Sequence, residues 1–218
     1  MELQQYINQP AKQPPNEVYS KLASNEQIER ASRALQNNGI EVFVVENSEA
    51  AKAKIFDLIP EGSEVFTAQS QTLAHLAGVL DEIPEHYVSV RAKLAEMNPE
   101  TQSREMVIMG AVPEYIVGSV HAVTETGSVL IASNTGSQLA GYVASAAHVI
   151  WVIGAQKIVP DINEAIKRIY EYTYPLEDLR AQEAYDGMHS NVSKLLIANR
   201  ELMPDRTKAV FVKEELGY

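Results

Sequence analysis

Short apolar runs rich in β-branched residues alternate along this chain with segments whose apolar residues recur at helical spacing. The runs Ile40–Val45, Glu64–Thr67 and Val149–Ile153 are each too short for a core helix and are typical of buried strands. Strands joined through helices predict βαβ units with right-handed crossovers, and therefore a mostly parallel sheet. We expect a doubly wound α/β fold with helices on both faces and these three runs as neighbouring buried strands.

Capping signals support the helices between these strands. Ser24 or Asn25 precedes a segment of helical periodicity, and Gly39 stands where a helix commonly ends in the left-handed conformation. Asp161, with Glu164 three residues later, has the spacing of a capping box. These residues predict where two of the helices begin and where one ends.

The first fifteen residues differ in composition from the rest of the chain. They hold three prolines and four glutamines with little periodicity, so we interpret residues 1–15 as an N-terminal arm. The arm would pack on the edge of the domain or on a second copy of the chain in a homo-oligomer. Residues 16–218 show no linker-like shift in composition and are predicted to form a single domain, with Lys208–Val212 as its last strand.

Composition and charge exclude several classes of function. The 218 residues include no cysteine, so this chain holds no disulfide, cysteine nucleophile, thiolate zinc or iron–sulfur cluster. Lys+Arg 18 against Asp+Glu 29 gives a net charge of −11, which disfavours nucleic acid and anionic membrane as partners. With no signal-peptide pattern and no long apolar run, the chain is predicted to be cytoplasmic.

Small hydroxyl residues and glycines are concentrated between His121 and Ser137. One interpretation is structural: Thr126–Ser128 is a turn between two strands, and Ser133–Ser137 is a loop in which Ser137 caps the next helix. The other is functional, because free backbone N–H groups at a helix start, with hydroxyls beside them, bind anions. The chain has neither a dinucleotide fingerprint nor a P-loop, so the cofactor stays unknown.

Candidate site residues follow predicted strands or begin helices. Glu125 is the candidate catalytic residue, as a general base or acyl nucleophile, with a structural ion pair as the alternative. Lys157 follows the strand Val149–Ile153 and is expected to be a loop lysine that binds an anion. The candidate ligand-binding residues are Ser70, Thr124, Thr126, Gly127, Ser133, Asn134, Gly136, Ser137 and Lys157.

These residues should converge with Glu125 on one cleft that holds a small anionic metabolite. The carboxyl ends of parallel strands share one edge of a sheet, which is where ligands bind in such folds. For Ser70, a plain helix cap is the alternative. The five histidines lack the spacing of metal ligands, so no metal site is expected.

Three segments resemble the LUD (lactate-utilisation) family. They are the turn region Ala122–Ser128, the strand His148–Val152 and the helix entry Lys157–Asp161. The resemblance implies the fold shared by glucosamine-6-phosphate deaminase, ribose-5-phosphate isomerase and coenzyme A transferases. It also implies a role in the oxidation of lactate to pyruvate, beside iron–sulfur partner proteins.

The C-terminal part departs from the lactate-operon branch of that family. Where that branch has the motif G-P-S-x-T-A-D-I-E, this chain has the segment 191–202. The segment Glu125–Gly127 is similar to the E-x-G setting of class I coenzyme A transferases. The alternative is therefore a stand-alone enzyme that binds an anionic acid, a sugar phosphate or an acyl coenzyme A, and whether the chain is itself an enzyme stays open.

Overall fold

The computed structural model describes residues 3–76 and 78–218, and it is an α/β structure. Its strands are β1 (Glu41–Val45), β2 (Glu64–Thr67), β3 (Val88–Ser89), β4 (Tyr115–Gly118), β5 (Ala122–Thr124), β6 (Val129–Ser133), β7 (His148–Gly154), β8 (Ile158–Val159), β9 (Lys194–Ala198) and β10 (Thr207–Val212). Its α-helices are α1 (Asn25–Asn37), α2 (Ser48–Leu58), α3 (Gln71–His75), α4 (Val79–His86), α5 (Val90–Glu96), α6 (Ser103–Ala111), α7 (Ile162–Arg168) and α8 (Tyr174–Ala184).

A six-stranded parallel sheet, the main sheet, has the strand order β1-β10-β7-β4-β2-β3. The predicted doubly wound α/β fold is confirmed. The prediction that the runs of β1, β2 and β7 are neighbouring strands is wrong, because β10 lies between β1 and β7, and β4 lies between β7 and β2. The burial predicted for β1 is also wrong, because it is an edge strand on which Glu41 and Val44 are exposed.

A second sheet of four strands, which the sequence did not predict, has the order β8-β5-β6-β9 and is mixed. Strands β5 and β6 are antiparallel and joined by the predicted turn Thr126–Ser128. Gly127 has φ = 90° in this turn, a left-handed conformation that glycine adopts without steric cost. The turn interpretation of this segment is therefore confirmed.

Alternate side chains of β7 enter two different cores, as the period of a strand requires. Val149 and Trp151 pack with α1 and with the second sheet, whereas Ile150 and Val152 pack with α2, α3 and α4. The opposite face of the second sheet, including Leu130, packs on α7 and on a group of tyrosines. The main sheet is thus covered on both faces, and the second sheet lies between two apolar layers.

The predicted helix starts are found in part. Ser24 caps α1 with a complete capping box to Gln27. At α7, Asp161 accepts the N–H groups of residues 163 and 164, but the carboxylate of Glu164 binds Lys167 and Tyr19 instead of completing the box. The second capping box is therefore only half formed.

The N-terminal arm lies along the start of the helical segment 169–184. Tyr6 stacks on Tyr170 at 5.0 Å between ring centroids, and its hydroxyl donates to Glu171 Oε1 at 2.8 Å. Met1 and Glu2, which belong to the predicted arm, lie outside the described residues. A contact between the arm and a second copy of the chain stays a prediction. Within the described ranges, no helix is both long and apolar enough to cross a membrane.

Candidate functional site

A cleft of about 430 Å³ opens at the carboxyl ends of three adjacent parallel strands. Ser70 lies three residues after β2, Ser119 directly follows β4, and Lys157 lies three residues after β7. The opposite wall is formed by the second sheet, through residues that include His121 and Ser133. The position of the cleft agrees with the general rule for ligand sites in parallel α/β sheets.

Lys157 is the buried cation of this cleft. Its side chain is 1% exposed, so the expectation of a loop lysine with little packing is wrong. The Nζ atom donates to Thr72 Oγ1 at 2.7 Å, to Ser119 Oγ at 3.1 Å and to the carbonyl oxygen of Val120 at 3.1 Å. None of these partners is a carboxylate, and burial followed by the nearby charge of Arg168 lowers the pKa of Lys157 well below its usual value.

Arg168 is a second buried cation, and it connects two walls of the cleft. It donates to the carbonyl oxygen of His121 and, at 3.0 Å, to Thr173 Oγ1, two residues that line the cleft. Its guanidinium lies 5.3 Å from the ring centroid of Tyr172, and its Nη2 atom has no partner among the described residues. Burial lowers the pKa of Arg168 to about 10. Lys157 and Arg168 thus lie near each other, and neither is hydrogen-bonded to a carboxylate of the described residues.

The imidazole of His121 is held by the second sheet. Its Nδ1 atom accepts a hydrogen bond from the backbone N–H of Ala132 at 3.1 Å. The backbone N–H of His121 donates to the carbonyl oxygen of Leu130. Burial, followed by the charges of Lys157 and Arg168, lowers the pKa of His121 to about 3. The ring is therefore neutral throughout the physiological pH range.

The rim of the cleft carries paired charges. Arg180 makes two hydrogen bonds to the carboxylate of Glu177, at 2.7 and 2.8 Å, and that carboxylate also accepts from the Tyr218 hydroxyl at 2.6 Å. Gln69 donates to the Tyr185 hydroxyl at 3.2 Å and so joins the loop after β2 to the segment after α8. Because Arg180 already has its counter-ion, the basic side chain that lines the cleft without a carboxylate among its hydrogen-bond partners is Lys157 and not Arg180.

Four more of the predicted residues occur near this cleft. Ser70, Ser133, Asn134 and Ser137 line it, whereas Gly136 is not among its lining residues. Ser70 also caps α3 by accepting the N–H of residue 73 at 3.4 Å, so the helix-cap interpretation holds for it as well.

The prediction that Ser137 caps a helix is wrong. Ser133 Oγ accepts the N–H of Gly136 at 2.9 Å and so closes a tight loop. The helical turn that follows is a π-helix, Gly141–Ser145, with Ala140 at its N-terminal cap. The loop therefore leads into a π-helical turn whose N-terminal cap is not Ser137.

Glu125 is not among the residues that line the cleft. Its carboxylate accepts from Arg30 Nε and, at 2.9 Å, from Gln27 Nε2, both on α1. The hydrogen bond from Arg30 holds the pKa of Glu125 below its usual value. The structure thus places Glu125 in the ion pair that was the alternative interpretation, and it does not bring Glu125 together with Lys157.

The neighbours of Glu125 are also structural. Thr124 Oγ1 accepts the N–H of Ser128 at 2.9 Å and is hydrogen-bonded to Thr126 Oγ1 at 2.9 Å. The carbonyl oxygen of Gly127 accepts from Asn38 Nδ2 at 3.1 Å. Thr124, Thr126 and Gly127 therefore form the turn and its contact with α1, and they do not line the cleft.

Sequence reasoning missed Ser119 and His121, which line the cleft, and Thr72, which accepts a hydrogen bond from Lys157. Ser119 follows β4 directly, and the rule that selected Ser70 and Lys157 would have selected it had Tyr115–Gly118 been recognised as a strand. His121 precedes a strand, so that rule gives no signal for it.

The fold and the cleft together define an α/β protein with a small cleft, lined by a buried lysine, at the carboxyl edge of its parallel sheet. The model of the LUD domain family matches residues 28–212. The chain belongs to this family, and the resemblance found in its sequence is confirmed.

A solved structure with this fold is the crystal structure of a DUF162 family protein from Deinococcus radiodurans. The two chains superpose with a TM-score of 0.54 at 10% sequence identity, over 88% of this chain and 99% of that one. At this identity, the likeness supports the fold alone. No curated protein matches this chain.

Proposed function

We propose that this chain binds a small organic acid of the lactate type in the cleft and serves in the utilisation of lactate. Membership of the LUD family supports a role of this kind. The observation that carries the proposal is Lys157, a buried cation that lines the cleft and has no carboxylate among its hydrogen-bond partners. Buried charges are usually paired, so a ligand carboxylate is the counter-ion that this site lacks.

The dimensions and composition of the cleft agree with a small ligand. A volume of about 430 Å³ is at the lower end of the range for small-molecule sites. Hydroxyl groups of Ser70 and Ser133 line the cleft beside Lys157 and suit a polar, oxygen-rich acid. The alternative of acyl transfer through Glu125 loses its main support, because that carboxylate is paired with Arg30.

Oxidation of lactate to pyruvate releases two electrons and two protons, so it needs a redox group. The sequence contains no cysteine that could hold an iron–sulfur cluster. We therefore assign electron transfer to iron–sulfur partner proteins, with this chain as the subunit that binds the acid. In this arrangement the cleft contributes ligand binding and orientation.

The test is calorimetric titration of the protein with lactate and pyruvate, with the neutral amide lactamide as control. We expect both acids to bind and lactamide not to bind. Lys157→Met should abolish binding, whereas Lys54→Met, on the outer surface of α2 where Lys54 pairs with Asp57, should leave it unchanged. At a concentration of 100 times its Kd, a ligand adds about 2.7 kcal/mol to the free energy of unfolding, which corresponds to a rise in Tm of roughly 5–10 °C.

Two results would contradict the proposal. One is the absence of any binding by either acid. The other is binding of the acids that survives Lys157→Met unchanged, which would place the ligand elsewhere.

A further inference from the structure

We propose that the ligand of the cleft is a 2-oxygenated carboxylic acid, and that Nε2 of His121 donates a hydrogen bond to its oxygen at carbon 2. This inference rests on the proposed function, because it narrows the class of acid that the same cleft binds. It makes His121 a specificity-determining residue.

The hydrogen bond at Nδ1 determines which nitrogen of His121 carries the proton. A backbone N–H can only donate, so Nδ1 must accept the N–H of Ala132 through its lone pair. The ring proton is then on Nε2, and the imidazole is neutral. Among the described residues, no hydrogen-bond partner contacts Nε2, and His121 lines the cleft.

The charges around His121 act in the same direction as this hydrogen bond. Lys157 and Arg168 are both close enough to oppose a positive charge on the ring, and burial opposes it further. A neutral imidazole of this kind is a poor base but a good hydrogen-bond donor, and such a donor can polarise a carbonyl group. His121 is therefore suited to contact an uncharged oxygen.

The cleft thus contains two polar groups of different character: an amine at Lys157 that donates to three groups of the chain, and a neutral N–H donor at His121. The charge of Lys157 suits a carboxylate, and the neutral N–H of His121 suits a hydroxyl or carbonyl oxygen on the same small molecule. A 2-oxo or 2-hydroxy acid supplies both acceptors. An acid without the second oxygen would cover the N–H of His121 without pairing it, and sites of this kind reject such analogues strongly.

The experiment compares the Kd values of pyruvate, lactate and propionate, which lacks the oxygen at carbon 2. The wild-type protein should bind pyruvate and lactate at least about tenfold more tightly than propionate. His121→Phe should abolish this preference and leave propionate binding unchanged, while His121→Gln, which keeps an N–H donor, should retain part of it. The matched control is His86→Phe, at an exposed histidine of α4 that does not line the cleft, and it should retain the full preference.

The inference and the proposed function fail in different ways. If the wild-type protein binds propionate as tightly as pyruvate, the inference is overturned while the proposed function stands. If it binds none of the three acids, the proposed function itself fails.

A second measurement does not depend on the folding of any variant. Long-range ¹H–¹⁵N NMR spectra of the wild-type protein should show Nε2 of His121 protonated and Nδ1 unprotonated from pH 5 to pH 8. A ring that titrates in this interval, or that carries its proton on Nδ1, would overturn the inference.

Discussion

Two regions of the molecule each carry a charged residue that the sequence singled out, and the two residues have opposite environments. One region is the turn between β5 and β6. The other is the floor of the cleft, which consists of Lys157 and its partners Thr72 and Ser119. In the turn, Glu125 is bonded to Arg30 and Gln27. On the cleft floor, Lys157 is bonded to two hydroxyls and a carbonyl, with a second cation nearby. One charge is neutralised within the chain, and the other is not.

This difference separates a structural charge from a binding charge. A carboxylate paired with an arginine that is exposed to water costs little to keep and contributes little to stability. A cation buried without a counter-ion costs stability, so its presence calls for an explanation outside the folding of the chain. The comparison predicts that changes in the turn alter stability alone, whereas changes on the cleft floor alter ligand binding.

The largest effect is expected for Gly127→Ala in the turn. A Cβ atom there would lie 2.9 Å from the carbonyl oxygen of Ala34 and 2.6 Å from Asn38 Nδ2, in addition to the strain of φ = 90°. We expect a loss of about 3 kcal/mol in the free energy of unfolding, measured by urea denaturation. The control, Gly62→Ala, has a φ of 77° but no atom within 4 Å of the new Cβ, and it should lose only about 1 kcal/mol.

Binding should not follow the stability of these two variants. Both should bind lactate as the wild-type protein does at temperatures where they are folded. A parallel loss of binding in Gly127→Ala would show that the turn and the cleft are coupled.

An intermediate effect is expected for Lys157→Met in the absence of ligand, where the free energy of unfolding should rise instead of falling. The hydroxyls of Thr72 and Ser119 keep their acceptors, the carbonyl oxygens of Leu216 and Val120, so removal of the desolvated amine should stabilise the protein by about 1 kcal/mol at pH 7. The wild-type pKa is lower in the folded than in the unfolded chain. The unfolded chain therefore binds more protons between these two pKa values, and wild-type stability rises with pH there.

The difference in the free energy of unfolding between Lys157→Met and the wild-type protein should therefore be largest below the pKa of Lys157 in the folded chain. It should disappear as the pH approaches the usual lysine value of about 10.4. Urea denaturation between pH 6 and pH 10 measures it. A variant that is less stable than the wild-type protein at every pH would mean that Lys157 is a structural residue.

The smallest effect is expected for Glu125→Gln. It should lower Tm by less than Gly62→Ala does, because Arg30 is largely exposed to water, and it should leave the Kd of lactate unchanged. The folded pKa of Glu125 is lowered, so its contribution is present above the unfolded pKa and is lost as the pH falls through the folded pKa. The difference in Tm between the two proteins should accordingly vanish in acid. A large loss of binding would restore Glu125 to the site.

The parallel fold could be predicted because β7 and β10 are mostly apolar runs that contain several β-branched residues and that helices separate. The order of the strands could not, since the insertion of β10 between β1 and β7 is decided by contacts between residues far apart in the chain. The burial of β1 was overestimated for the same reason, because an apolar run does not reveal whether a strand has one neighbour or two.

The candidate site was predictable only where strand ends share one edge. That rule selected Ser70 and Lys157, which follow strands of the main sheet. It did not apply to Glu125, which follows β5 in the second sheet. The environment of His121 depends on its contact with Ala132, eleven residues away, and on cations that local periodicity does not place.

The position of β10 also has a consequence for biosynthesis. Residues 207–212 occupy the middle of the main sheet, between a strand from the first quarter of the chain and one from the third. The ribosome must therefore make the 172 residues from Glu41 to Val212 before that sheet can close, which takes roughly 9–35 s at 5–20 residues per second. Until β10 is made, β1 and β7 expose the strand edges that β10 later covers, and unpaired edges of this kind favour aggregation of the nascent chain.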